Sequence, residues 1–279
     1  MGTGITDKPA TLAGRQYRYE RFTTRLLLRD MRFRKGAPGP GDVFPVFTLV
    51  TTDGDELVTR DLLGNRPVLF IFGSVTCPMT ASAMPFLKQL HTEFGDRVDF
   101  IMLNVREAHP GEHFRQPATM VEKLDHSRAL KQLYGIPWTV AIDNIEGTLH
   151  RALDPKPNSA FLVNGDGIIV FRSLWASDQN AMRQALESAA AGRRPDKPQS
   201  QALFGPVVRA MGQVQEVMDR AGPQAAKDLW RGAFPMALAG RVATFFSPLS
   251  PDQRGIAAAL TLALGALVVM GLIGAWLFG

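Results

Sequence analysis

The 279-residue chain is 46% hydrophobic and 20% charged, which allows one core-forming domain with extensions or two small domains. Its single cysteine excludes an intramolecular disulfide framework and any cysteine-rich metal site, and leaves a redox cycle to be closed by a thiol from outside the chain. A lone free thiol suits a reducing compartment better than an oxidising one.

The net charge of +5 is gathered at the start: residues 1–35 hold nine Lys/Arg against three Asp/Glu, a net of +6, so the remainder carries −1. The first dozen residues read as a disordered terminus, and no apolar run there resembles a signal peptide. Arg18, Arg21, Arg25, Arg29 and Arg32 recur at intervals of three and four. That spacing predicts a helix over 15–35 with a cationic stripe, and with Tyr19, Phe22 and Leu26 on a more apolar side. The stripe is either a solvated arm or a contact for anionic lipid headgroups. It is too short for a nucleic-acid surface and lacks a base-stacking platform. Residues 36–41 form a Gly/Pro linker, so 1–39 is a basic arm ahead of a body spanning 40–192.

Within the body, Phe47–Val50 and Glu56–Val58 flank Asp53-Gly54 and predict a β-hairpin. The run Pro67–Phe72 is apolar on both faces and reads as a buried central strand. Gly73 and Ser74 break it, and Pro78 opens a helix to about Phe94, stopped by Gly95 and bent at Pro85. Val98–Leu103 is a second buried strand. Thr119 and Glu122 make a capping box for a helix to Tyr134, stopped by Gly135. Thr139–Ile142 is a short strand, residues 161–164 and 168–171 pair across Gly165-Asp166-Gly167, and a helix follows from about Asp178 to Ala191. Strands alternating with helices, closed by a hairpin and a helix, predict an α/β fold of the thioredoxin-like type.

Beyond a linker at 192–198, residues 193–255 read as linker and weak amphipathic helices, with Val207, Met211, Val214 and Met218 on one face. They form a small subdomain on the core or, preferred here, an interfacial stalk. Ile256 to Phe278 holds no charge over a length that crosses a bilayer of roughly 30 Å. It is expected to be a single transmembrane helix, a tail anchor. Arg241 and Arg254 flank its near side, so the positive-inside rule leaves the body in the cytoplasm.

Cys77 falls where the central strand ends and a helix begins, at the positive end of that helix's dipole. This placement stabilises a thiolate and predicts a depressed pKa and a reactive thiol. The plainer alternative is a buried, inert cysteine. Helix-terminus amides and the Thr76 hydroxyl could bond the sulfur. His109 could move a proton, and Glu107 could orient His109 or take up the proton itself; ordinary loop polarity is the alternative for both. Pro157 is a candidate for a cis-proline facing the cysteine, with a common trans turn as the alternative. His91, His113, His126 and His150 lack metal-ligand spacing and read as surface or structural. Residue 80 is Thr80, so a dithiol cycle within the chain is excluded.

Phe72-Gly73-Ser74-Val75-Thr76-Cys77-Pro78, then Val98-Asp99-Phe100, then Glu107-Ala108-His109-Pro110 resembles the iodothyronine deiodinase family over about residues 40–190. Cys77 stands at the selenocysteine position, as in bacterial deiodinase-like redoxins. The resemblance implies a thioredoxin-like fold with Glu107 and His109 lining the active site, and it raises Pro157 as a site residue. The expected activity is that of a membrane-anchored thiol oxidoreductase. Cys77 would attack a small electrophile (a halogen, a peroxide oxygen or a disulfide sulfur), with no bound cofactor and no metal. Glutathione, thioredoxin or another thiol-containing protein would regenerate it. The alternative is a non-enzymatic scaffold or redox sensor tethered to membrane lipid.

Overall fold

β3 (Val68–Gly73) is buried along its whole length, as its unbroken apolar sequence requires. The computed structural model describes residues 17–64 and 66–278, so the expected disorder of the first dozen residues lies outside it. Around β3 stand β1 (Thr48–Thr51), β2 (Glu56–Val58), β4 (Asp99–Asn104), β5 (Thr139–Ile142), β6 (Ala160–Val163), β7 (Ile169–Ser173) and β8 (Gln199–Ser200). They make one eight-stranded sheet in the order β2-β1-β5-β4-β3-β6-β7-β8. β4 pairs with β3 in parallel, β6 pairs with β3 antiparallel, and β7 continues antiparallel from β6. With α2 (Pro78–Phe94) linking β3 to β4, and α5 (Gln179–Ala190) following β7, this four-strand centre has thioredoxin-like topology.

The alternation of side chains along β3 divides the core. Leu69 and Ile71 join Met84, Leu87 and Leu90 of α2 and Met182 and Leu186 of α5 on one face. Val68, Phe70 and Phe72 face the other way, onto Phe161 and onto Phe44, whose ring stacks on Phe70 with centroids 4.3 Å apart. α3 (Met120–Tyr134) carries the expected capping box, and Gly135 ends it in the left-handed region at φ 53°. α4 (Thr148–Leu153) is a short helix absent from the sequence reading, which had no periodicity to find in six residues.

The basic arm differs from its expected form. α1 spans Thr24–Asp30, with the Thr23 hydroxyl accepting from Leu26 N–H, so Arg18 and Arg21 precede the helix and the five arginines do not share one face. The physical reason is tertiary bonding that holds residues 18–23 irregular. The Tyr17 hydroxyl meets His150 Nδ1 at 2.7 Å, the Tyr19 hydroxyl donates to Ala108 O at 2.9 Å, and Arg21 forks onto the Asp228 carboxylate at 2.6–3.0 Å. Gly147 allows this close approach, since a Cβ there would lie 2.1 Å from the Tyr17 ring. Further on, Arg34 N–H donates to Asp154 Oδ2 and Lys156 Nζ donates to Arg29 O. The arm is a strap across the body.

α6 (Phe204–Ala221), α7 (Pro223–Gly232) and α8 (Phe234–Ala243) are amphipathic as expected, yet they are not a detached stalk. Their apolar faces gather Met211, Val214, Met218 and Leu229 around Ala81 of α2 and Phe22 of the strap. A hydrophobic face of that size is more stable against the core than against water. α9 (Pro251–Phe278) begins one turn before the expected span. Its base packs on α6 through two glycines: a Cβ on Gly212 would stand 1.8 Å from Pro251 O, and one on Gly255 would stand 2.2 Å from Val208 O. Beyond that base the helix is almost wholly exposed, and Pro251–Leu277 is long and apolar enough to cross a membrane.

Candidate functional site

Cys77 is the N-cap of α2, in extended conformation at φ −107°, ψ 113°, with Pro78 as the first helical residue. Gly73 closes β3 in close contact with Met102 and Thr80, since a Cβ there would lie 2.3 Å from Met102 Cε and 2.9 Å from Thr80 Cγ2. The chain therefore turns from strand to helix in the four residues Ser74–Cys77, as the apolar run followed by Gly-Ser and Pro predicts.

Two loops meet at this turn and are stitched together. The Glu107 Oε2 atom accepts from the Thr76 hydroxyl at 2.6 Å and from Thr76 N–H at 3.0 Å. Thr76 Oγ1 in turn accepts from His109 N–H at 3.2 Å, and the Ser74 hydroxyl oxygen accepts from Ala108 N–H at 3.2 Å. Gln116 clamps the Glu107 backbone from the other side, accepting from its N–H and donating to its carbonyl. Thr76 and Glu107 are thus near the cysteine, but in a different relation from the one expected. Thr76 bonds Glu107 and not the sulfur. Glu107 orients neither ring nitrogen of His109; its Oε1 meets His126 Nδ1 at 2.9 Å. His126 has the spacing of a surface or structural residue, and no sequence feature links it to this carboxylate. Burial pulls the His126 pKa down, but the hydrogen bond and charge of Glu107 outweigh that and leave it raised.

The sulfur lines a narrow, partly open chamber whose inner space, about 40 Å³, has room for a few water molecules. Phe22, Met31, Met79, His109, Pro157 and Met236 are among its walls. Cys77 is 1% exposed and His109 6%. Pro157 lines the same chamber as Cys77, but no described peptide bond is cis, so the trans alternative is what occurs.

The expected low cysteine pKa is overturned. Burial pushes the Cys77 thiol up to about 11, against the pull of hydrogen bonds from the Thr80 hydroxyl and the Thr80 and Met79 amides. The helix terminus acts as predicted, yet covering the sulfur with apolar side chains removes the water that would solvate a thiolate, and desolvation wins. The hydroxyl at the sulfur is that of Thr80, in place of Thr76. Thr80 Oγ1 accepts weakly from Ser74 N–H and Asn158 Nδ2, which leaves its proton for Cys77. His109 is pulled down to about 4 by burial, so its ring is neutral near pH 7. Its Nδ1 is buried without a hydrogen-bond partner, as is Oδ1 of Asp30 in the same wall.

Among the other histidines, His150 is buried against Phe72, takes the Tyr17 hydroxyl on Nδ1 and donates from Nε2 to Lys156 O. It holds the strap in place. His113 meets Arg220 O, and His91 lies against Phe100 and Trp138. Among the described residues, no three His, Cys, Asp or Glu side chains are grouped to hold a metal.

Residues 15–132 match the protein-family model described as iodothyronine deiodinase. The type II iodothyronine deiodinase of Fundulus heteroclitus is 27% identical over 107 residues, 34% of this chain and 40% of that protein. The corresponding enzyme of Rattus norvegicus is 35% identical over 68 residues, 24% of this chain and 26% of that protein. The chain thus spans less than half the length of these curated relatives. Among solved structures, a conserved protein of Geobacillus kaustophilus aligns with a TM-score of 0.47 at 18% identity, over 57% of this chain and 88% of that one.

Proposed function

We propose that the chain, which is similar to the iodothyronine deiodinases over residues 15–132, is a membrane-anchored, thiol-dependent oxidoreductase with Cys77 as nucleophile. One observation carries the reading: Cys77, His109 and Pro157, far apart in sequence, line a single chamber at the carboxyl end of the central strand. That end is where α/β sheets hold their ligands.

In this reading His109 stays neutral and relays the proton, taking it on its unpartnered Nδ1 as the other ring nitrogen gives one to the leaving group, while the Thr80 hydroxyl and helix amides stabilise the developing sulfur anion. Thiolate attack transfers the electrophilic atom (a halogen, a hydroxyl from a peroxide, or a sulfur) to Sγ. The leaving group departs with the bonding pair and is protonated. Two external thiols then return Cys77 to the thiol and leave as a disulfide, releasing the transferred atom with hydrogen. Glu107 acts at one remove, fixing Thr76 and through it the His109 backbone. An open groove of about 600 Å³ lies beside the His109 loop, lined by Arg18, Arg21 and Arg115 and by Glu20 and Glu112. Its mixed charge suits a small zwitterionic thiol such as glutathione; a thioredoxin-like protein is the other reductant class.

α9 supplies the membrane span, and Arg241 and Arg254 on its near side support a body facing the cytoplasm. The test is a turnover screen of the purified full chain with halogenated phenols, hydroperoxides and mixed disulfides, with glutathione or thioredoxin as reductant. Turnover that Cys77→Ser abolishes supports the reading. No Cys77-dependent turnover of any class defeats it.

A further inference from the structure

The outer face of α8 is largely open to solvent. Phe234 is 56% exposed and Phe245, in the turn that follows, 77%. Leu238 and Val242 lie between them at helical spacing, half-buried, and the exposed Trp230 packs its ring against Phe234 with centroids 5.6 Å apart. Arg231 and Arg241 are exposed at the borders of this stripe. The opposite face of α8 is fully engaged: Ala237, Gly240 and Ala243 are buried, and Met236 reaches into the wall of the Cys77 chamber.

This stripe is continuous with α9. The joining residues are pinned by Arg254, which donates to Leu249 O at 2.8 Å and to Ser247 O at 2.6 Å. A face of aromatic and aliphatic residues bordered by arginines, fixed at the root of an apolar helix long enough to span a bilayer, has the chemistry of the headgroup–acyl boundary. Trp and Arg are the side chains that anchor there.

We propose that α8 lies in the membrane interface and forms the bilayer-side wall of the Cys77 chamber, so that the substrate is an apolar electrophile entering from the lipid past Met236. The proposal rests on the membrane-anchored thiol reading above and adds to it the substrate class and its route. The chamber agrees, since its lining is apolar apart from Asp30 and His109. The geometry of α8 joins lipid and chamber: Phe234, Leu238 and Phe245 seat in lipid, while Met236 on the same helix lines the chamber.

The single cysteine makes the test direct. The full chain is reconstituted in vesicles of phosphatidylcholine and phosphatidylglycerol, and Cys77 is labelled either with an alkyl maleimide or with a sulfonated maleimide. The alkyl reagent is expected to label about tenfold faster, and Phe234→Asp combined with Phe245→Asp to remove most of that advantage, while labelling by the sulfonated reagent stays unchanged. In the same vesicles, part of the tryptophan quenching by brominated lipid is expected to disappear in Trp230→Phe, which reports the depth of α8 without disturbing the fold. Equal labelling by both reagents, an advantage that survives the double substitution, or quenching unchanged in Trp230→Phe overturns the proposal. Labelling needs no turnover, so a catalytically silent protein that still shows the lipid-side preference would defeat the oxidoreductase reading and not this one.

Discussion

The ring of Phe22 lies on the imidazole of His109, centroids 4.3 Å apart and planes tilted by 40°. Phe22 belongs to the strap and His109 to the loop after β4, so this contact joins two walls of the Cys77 chamber. Phe22→Ala should open it. Maleimide labelling of Cys77 in the folded protein is expected to rise at least about tenfold, while the lost packing costs about 3 kcal/mol in a denaturant titration. An unchanged labelling rate would mean that the strap does not govern access.

The thiol itself offers a second check. With the Cys77 pKa at about 11, the pH-rate profile of labelling should keep climbing through pH 10, where a helix-activated cysteine would have levelled off below pH 8. Because the folded pKa lies above the unfolded one, this group's stabilising contribution is complete below pH 9 and lost as pH rises towards 11. Thr80→Val removes the hydroxyl that bonds the sulfur. A hydrogen bond to a charged group is worth about 1.5–3 kcal/mol, so labelling at a fixed pH should fall about tenfold or more. An unchanged rate in Thr80→Val would show that its proton points elsewhere.

His109 has the opposite sign. Its pKa falls from 6.5 to about 4 on folding, so its contribution is complete above pH 6.5 and lost as pH falls towards 4. In His109→Phe, which keeps the stack on Phe22, urea unfolding between pH 6.5 and 4.5 should depend on pH by up to one proton less than in the wild type. If His109 moves the thiol proton, turnover should fall about a hundredfold or more. A variant that loses the acid sensitivity and keeps full turnover would leave His109 a wall of the chamber and no more.

The frame of the molecule was legible in the sequence wherever one local rule sufficed. The apolar run of β3, the Gly-Ser break and Pro78 mark the strand–helix junction, and Thr119 with Glu122 marks the start of α3. What could not be read is what crosses the chain. Arg18 and Arg21 keep helical spacing, but Arg21 is claimed by Asp228, more than two hundred positions away. Cys77 stands at the predicted helix terminus, yet burial raises its pKa, and Phe22 and Met236 are among walls that no local pattern brings near. His126 has no motif linking it to Glu107. The dipole rule weighed the favourable contribution to the thiolate correctly and could not see the desolvation that exceeds it.

Glu107 tests whether the two loops work as one unit. Its carboxylate is fully buried and shared between Thr76, with two donors, and the His126 ring. Glu107→Gln retains an oxygen for Thr76 but removes the charge that lifts His126. The His126 pKa, followed by NMR, should then drop, because burial is left opposed only by the weaker charges of Glu122 and Asp125. Glu107→Ala is harsher, since it leaves the Thr76 donors and a partly buried imidazole unmatched. Breaking a buried pair in this way costs about 3–5 kcal/mol, a fall of roughly 10 °C in Tm for a body of this size. The two variants separate charge from scaffold. If turnover survives Glu107→Gln and fails in Glu107→Ala with the fold intact by circular dichroism, Glu107 is a positioning residue. If both fail equally while His126 titrates unchanged, the carboxylate acts on the reaction itself and the relay through Thr76 is wrong.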